Sequence, residues 1–218
     1  MIYPSTIVYV TPHSPAAGIT PYRSLVRYTP PSTEPVTLAD AKAHCRVDIN
    51  DDDAYINTLI TVSREVVEDR LGQTLMQTVW EARYDCFPLH ELVLPRGPMA
   101  DANVTVVYRN EAGVDQTLTS DAGHFQRDHR TTPGRIFANY AATWPDVRGD
   151  ENSVTVRWTA GYADAADVPA VCKHAMLLLI GLWYSTREPV TVGTTAQNAP
   201  VPYTFETLMA HASDGVYR

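Results

Sequence analysis

Four side chains in the stretch SDAGHFQRDHR are of the kinds that bind metals or move protons: Asp121, His124, Asp128 and His129. A metal site needs such ligands to converge on one point and to be held there by rigid elements. Here they fall in a loop or at a strand edge, and Arg127 and Arg130 are interleaved where they would repel a cation. A solvated polar loop accounts for the pattern. Asp51, Asp52 and Asp53 form a run of carboxylates that suggests calcium, but consecutive residues diverge around the start of a helix. The alternating ligands and central glycine of a calcium loop are also missing, so the run reads as the charged start of a helix. His44 and Cys45 are a third pair. A nucleophilic cysteine needs its base close in space, whereas neighbours on a helix point about 100° apart; a buried structural cysteine fits better. No GxSxG, Walker loop or GxGxxG occurs. The sequence therefore assigns no catalytic, cofactor-binding or metal-binding residue, and the expectation is a protein that is not an enzyme and holds no cofactor.

The elements that would position such groups say more. VPAVCKHAMLLLIGLWYSTREPV, Val168 to Val190, has no charge between Ala175 and Tyr184. A bilayer span needs about 20 apolar residues in a row; Lys173 and His174 interrupt one end, and Arg187 and Glu188 close the other. The segment reads as a helix, with Asp167 as N-cap, Pro169 in the first turn and Pro189 as its stop. Met176, Leu177, Leu178, Leu179, Ile180, Leu182 and Trp183 cover every direction around its axis, and a helix apolar all round must be covered all round.

Upstream, Thr37 and Asp40 resemble a capping box ahead of a short helix that carries Leu38, Ala41 and Cys45 on one side. NDDDAYINTLITVSREVVEDRLG is the clearest helix: aspartates at its start suit the helix dipole and Gly72 ends it. Ile56, Leu59, Ile60, Val66, Val67 and Leu71 form its apolar stripe, with Arg64, Glu65, Glu68 and Asp69 mostly outside it. The period then changes. Val79–Tyr84, Glu91–Pro95, Val104–Tyr108, Gln116–Leu118, Gly134–Phe137 and Ser153–Thr159 are short strand patterns with Gly, Pro and Asn between them, which implies an antiparallel sandwich or small barrel.

The fold class expected is α+β: a small helical bundle with an inserted antiparallel β-sandwich or barrel module and an extended Pro-rich N-terminal arm. The boundaries are 1–35 for the arm, 36–74 and 163–190 for the two parts of the helical domain, 75–162 for the β module, and 191–218 for a linker and C-terminal docking segment. The arm has seven prolines, which exclude a helix and disfavour a central strand; it reads as a segment laid on another surface, or as a loose tail. In the last segment, Pro202, Tyr203, Phe205, Leu208 and Met209 form a short amphipathic pattern with aromatic anchors. Such a segment gains order from a surface, either a partner's or that of its own bundle.

The chain has 218 residues and a formal charge of −8, from 25 acids and 17 bases. That argues against a basic groove gripping nucleic acid by its phosphates but suits a surface that nucleic acid passes without sticking. Cys45, Cys86 and Cys172 are odd in number and far apart, so neither a zinc knuckle nor a disulfide framework is indicated. The opening MIYPSTIVYVTPHSP has no basic n-region and is not read as a signal peptide.

In this order, PVTLADAKAHCRVD, DDDAYINTLITVSREVVEDRLGQTL, LPRGPM, SVTVRWTAGYADAADVPAVCKHAMLLLIGLWYSTRE and VPYTFETLMAHASDGVYR resemble the head–tail connector (adaptor, head completion) proteins of long-tailed phages, in the type with a β insertion in a helical domain. The resemblance covers most of residues 35–212, and none of its motifs is catalytic. It implies a structural virion protein at the neck, assembled in the host cytoplasm as a ring, twelvefold in the family, under the portal protein. The ring would extend the DNA channel, pass double-stranded DNA without specific binding, and offer a face to the next tail component, such as a stopper or tail terminator; no membrane is involved. It also implies an interface role for Trp183, Tyr184, Arg187, Glu188, Pro202, Tyr203, Phe205, Leu208 and Met209, with the C-terminal region attaching to the portal. Two other readings stay open: another neck or tail structural protein, and a small-ligand-binding or enzymatic module that uses the β domain.

Overall fold

The computed structural model describes residues 22–89, 91–102, 104–186 and 203–213. Two compact units form: the described residues up to Pro31 with Gln77–Gly161, and Ser32–Met76 with the described residues from Tyr162 onward. The architecture is α+β: the larger part of the β unit, Gln77–Gly161, lies between the two stretches of the helical unit in sequence, and its first part precedes them.

In the helical unit, α1 (Leu38–Cys45) starts on a complete capping box. The Asp40 amide donates to Thr37 Oγ1 (3.1 Å), and the Thr37 amide donates to the Asp40 carboxylate (3.4 Å); this reciprocal pairing satisfies two N–H groups that a helix start leaves open. Helix α2 (Asp53–Leu71) ends at Gly72, whose φ of 65° lies in the left-handed region that glycine enters without strain. Helix α3 (Ala170–Ser185) starts later than the sequence suggests. Asp164, not Asp167, caps a one-turn 3-10 segment, Ala165–Asp167, by accepting the Ala166 N–H (2.9 Å). Val168 is then extended and buried, so the helix begins after Pro169. Helix α4 is Tyr203–Ser213. Helices α1, α2 and α4 all pack on α3, which is how most of its apolar circumference is covered. Ile56, Ile60, Val67, Ala175, Met176, Leu179 and Ile180 form the centre of that core.

The β unit holds β1 (Ser24–Thr29), β2 (Thr78–Tyr84), β3 (Glu91–Leu94), β4 (Thr105–Arg109), β5 (Asp115–Thr119), β6 (Phe125–Asp128), β7 (Gly134–Ala138) and β8 (Val154–Ala160). A five-stranded sheet runs β1-β2-β8-β4-β5 and a three-stranded sheet β3-β7-β6, with every strand pair antiparallel. Strand β8 alternates strictly: Val154, Val156, Trp158 and Ala160 point into the core while Thr155, Arg157 and Thr159 do not. Both sheets feed one core, with Trp158, Tyr84, Val106 and Val156 from the first meeting Leu92, Leu94, Phe125 and Ile136 from the second. This is a sandwich. On the outer face of the large sheet Glu81 is nevertheless buried, because Arg157 (2.7 Å) and Arg83 (3.0 Å) close over it.

One expectation needs correction. An extended arm over residues 1–35 does not describe Ser24–Thr29, which pairs with β2 along the register Ser24↔Arg83 to Thr29↔Val79 and buries Leu25. As an edge strand it tolerates the flanking prolines. Residues 1–21 lie outside the described residues. The polar His/Asp stretch falls partly in β6, an edge strand of the three-stranded sheet, where Phe125 turns into the core.

The start of β1 is held by a charge pair. The Arg23 guanidinium, hydrogen-bonded to Asp85 (2.6 Å), holds that carboxyl below the usual carboxylate range, and the Asn152 amide adds to the effect. A carboxyl whose folded pKa is lowered contributes its stabilisation above the ordinary value and loses it as pH falls through the lowered one. Acidification below about pH 4 is therefore expected to raise exchange at the Arg23 amide, after correction for its intrinsic pH dependence, while β8 stays protected. An Asp85 carboxyl titrating at or above the ordinary value would show that the pair does not hold the strand.

Candidate assembly surface

Most of the residues that first suggest chemistry have structural partners. His124 Nδ1 accepts the Thr119 N–H (3.0 Å). Asp128 accepts from the Arg130 amide (3.0 Å) and the Thr131 hydroxyl (3.2 Å), hydrogen bonds that hold its carboxyl below the usual range. His129 stands 3.9 Å from Asp101, which also pairs with Arg127. Among the described residues no group of three or more His, Cys, Asp or Glu side chains could hold a metal ion. Asp52 accepts the Tyr184 hydroxyl (2.6 Å), and Asp53 pairs with Lys42 (2.7 Å); the carboxylate run ties α2 to α3 and α1. His44 lies against α3 at Gly181, where an added Cβ would stand 3.1 Å from its Nε2. Burial pushes the Cys45 thiol up, and the Cys172 thiol up to about 11, the opposite of what a nucleophile needs.

The interface residues expected from sequence divide. Trp183 and Tyr184 are half-buried against the helical core. The Tyr55 hydroxyl donates to the Trp183 carbonyl (3.3 Å), and the Tyr55 and Tyr184 rings lie 6.3 Å apart, so both residues fasten the end of α3 to the start of α2. Phe205 and Met209 are buried within the helical unit, with Leu208 packed beside them, and Arg70 of α2 pairs with Glu206. This corrects the picture of α4 as a tethered anchor: its aromatic and Met side chains cover their own bundle. Arg187, Glu188 and Pro202, and the side chain of Tyr203, lie outside what is described. Leu178 and Leu182, one turn apart on α3, are half-buried without belonging to the apolar cluster. On α2, Val62 and Val66 are 40% and 36% exposed, also one turn apart.

Sequence reasoning missed one feature. Arg64 and Glu68, expected outside the α2 stripe, are both 2% exposed. Arg64 pairs with Glu68 (2.8 Å) and Glu34 (2.7 Å), Glu68 accepts the Leu75 N–H (2.9 Å), and Glu34 accepts the Thr61 hydroxyl (3.0 Å). The i, i+4 spacing of an Arg and a Glu was the available signal, but the same spacing is common on solvated faces. The network fastens the segment before α1 and the exit from α2 to the middle of α2.

With this geometry in place, the comparisons are specific. Residues 35–95 match the model of the family described as phage gp6-like head-tail connector protein, a span that begins just before the α1 capping box and runs to the end of β3. The family resemblance expected from sequence is thus found over that span. No curated protein matches the chain. Among solved structures, the neck of an empty GTA particle computed with C6 symmetry contains a chain of similar fold, with TM-score 0.65 and 20% identity over 84% of this chain and 94% of that one. A chain in the virion of a native gene transfer agent (GTA) particle gives TM-score 0.66 and 19% identity over 86% of this chain and 93% of that one. A third, in the neck of a native GTA particle computed with C12 symmetry, gives TM-score 0.61 and 20% identity over 84% and 93%. The likeness therefore takes in the β unit as well as the helices.

Proposed function

We propose that this chain is a head–tail connector of a phage or gene-transfer-agent particle, built into the virion neck as a ring of copies beneath the portal. The observation that carries this reading is the shared two-part fold, which extends over 84% or more of this chain and 93% or more of each neck or virion chain it resembles, together with the connector-family match at residues 35–95. The particles in those structures have sixfold and twelvefold computed symmetry, which supports a ring, and the family resemblance favours twelve copies. The role is structural, and the intramolecular duties of the histidines, aspartates and buried thiols support that.

A ring closes through a heterologous contact, in which two different patches of each copy meet. The half-buried Leu178 and Leu182, near the α3 end that carries Trp183 and Tyr184, supply one such patch, together with Arg187 and Glu188, which follow that helix in the sequence. The outward side of α4, with Tyr203 at its start and Pro202 before it in the sequence, supplies the face toward the portal. The next neck or tail component meets the ring on its far side. A net charge of −8 suits a channel that double-stranded DNA crosses without being held.

Mixing the purified chain with isolated portal rings, then measuring mass by sedimentation, tests the assembly claim. The expected result is one closed ring of this chain per portal ring, lost in a Leu178→Asp/Leu182→Asp variant that keeps its helical circular dichroism. A wild-type chain that leaves portal mass unchanged would overturn the reading.

A further inference from the structure

The β unit carries a cleft of about 400 Å³ lined by Phe87, Pro88, Leu89, Trp144, Pro145 and Val147 among others. The Phe87 and Trp144 rings stack with centroids 4.7 Å apart and planes 1° from parallel. Leu89 is 92% exposed at the same place, an apolar side chain left in water beside an aromatic wall. Phe87, Trp144 and Val147 pack with one side on the sandwich core, but Leu89 takes no part in that packing, and the connector reading does not use the cleft.

The chain itself supplies an occupant. The Arg23 amide donates to the Arg83 carbonyl (2.7 Å), the Arg23 side chain pairs with Asp85, and the Tyr22 ring meets Tyr84 edge-on at 6.5 Å. Traced backwards from Ser24, the backbone therefore runs alongside Arg83, Tyr84 and Asp85, and Asp85 leads within two residues to Phe87 in the cleft wall. Residues 1–21 start from that place. They contain Pro4, Pro12, Pro15 and Pro21, and Pro12-His13-Ser14-Pro15 has the spacing of a PxxP segment. Aromatic grooves take such segments because proline pre-sets an extended left-handed helix at little entropic cost, and because its backbone carbonyls have no internal partners and remain free to accept. From Tyr22 back to Pro15 is a stretch that reaches up to ~23 Å when extended, enough to lay the two prolines along the cleft.

We propose that the Phe87–Trp144 cleft is the seat of the chain's own Pro-rich segment, residues 1–21, with Pro12 to Pro15 against the stacked rings. Seated there, the segment covers the exposed Leu89. This holds whether or not the chain works in a virion neck.

Cys86 also lines the cleft and is exposed, which gives a direct test in the full-length protein. A Ser14→Cys variant, oxidised with glutathione disulfide, is expected to form an intrachain bond to Cys86 at least tenfold faster than a Thr6→Cys control, as mapped by peptide mass spectrometry. Adding Leu89→Asp, at a side chain whose exposure makes it dispensable for folding, should bring the Ser14→Cys rate down to the control; Trp144→Ala should do the same if the variant folds. Equal rates for the two positions, or a rate unaffected by Leu89→Asp, would mean that the tether alone brings the thiols together and would overturn the proposal. A bond formed only between two copies would overturn it too, by assigning the cleft to a neighbour's segment.

Discussion

Replacing Arg64 with alanine is expected to lower the unfolding free energy by about 3–5 kcal/mol, the range for removing one partner of a buried ion pair. The change leaves Glu68, 2% exposed, without the guanidinium that neutralises it, and it frees Glu34 from the middle of α2. The desolvation cost of a charge stays while its compensation goes. Glu68→Gln should cost less, because the amide oxygen can still accept the Leu75 N–H that Glu68 accepts at 2.9 Å. Urea unfolding of the two variants against wild type checks both the size and the order. A loss below about 1 kcal/mol for Arg64→Ala, the value of an exposed pair, would show that the network is solvated.

Ending the chain after Pro200 is expected to destabilise the helical unit by about 3–6 kcal/mol. The estimate comes from two large apolar side chains, Phe205 and Met209, each worth about 1.5–3 kcal/mol when fully buried. They are 3% and 2% exposed, and without α4 the part of the core they cover would face water. Because a whole domain is stable by only about 5–15 kcal/mol, the truncated chain should melt far lower or fail to fold. Phe205→Ala alone should cost about 3–5 kcal/mol. A truncated chain that keeps its full stability would contradict this and return α4 to the role of a tethered anchor for a partner.

How far the sequence was legible follows from what each signal reports. The Thr37–Asp40 box and the β8 alternation are local and strong, so the structure repeats them; the α2 periodicity gives the helix and its Ile56, Leu59, Ile60 and Val67 face, while Val66 of the expected stripe is 36% exposed. The apolar stripe of α4 shows that Phe205 and Met209 need cover without saying whose, and here their own bundle supplies it. Arg64 and Glu68 read as solvated because periodicity treats every charge as outward; only the three-dimensional approach of Glu34 and the Leu75 amide makes burial affordable. Strand β1 was hidden by its neighbouring prolines, which an edge position accommodates. The surface left for assembly was the least legible part, since half-buried residues such as Leu178 and Leu182 look no different from core leucines until the rest of the bundle is in place.

The central claim, a connector ring in the neck, is tested most directly by imaging the neck of intact particles that contain this chain, at a resolution that traces its helices. The expected result is a closed ring of this fold, twelve copies around the tail axis, each touching the portal on one side and the next tail component on the other. A single copy, a ring that does not touch the portal, or density for this chain elsewhere in the particle would contradict it.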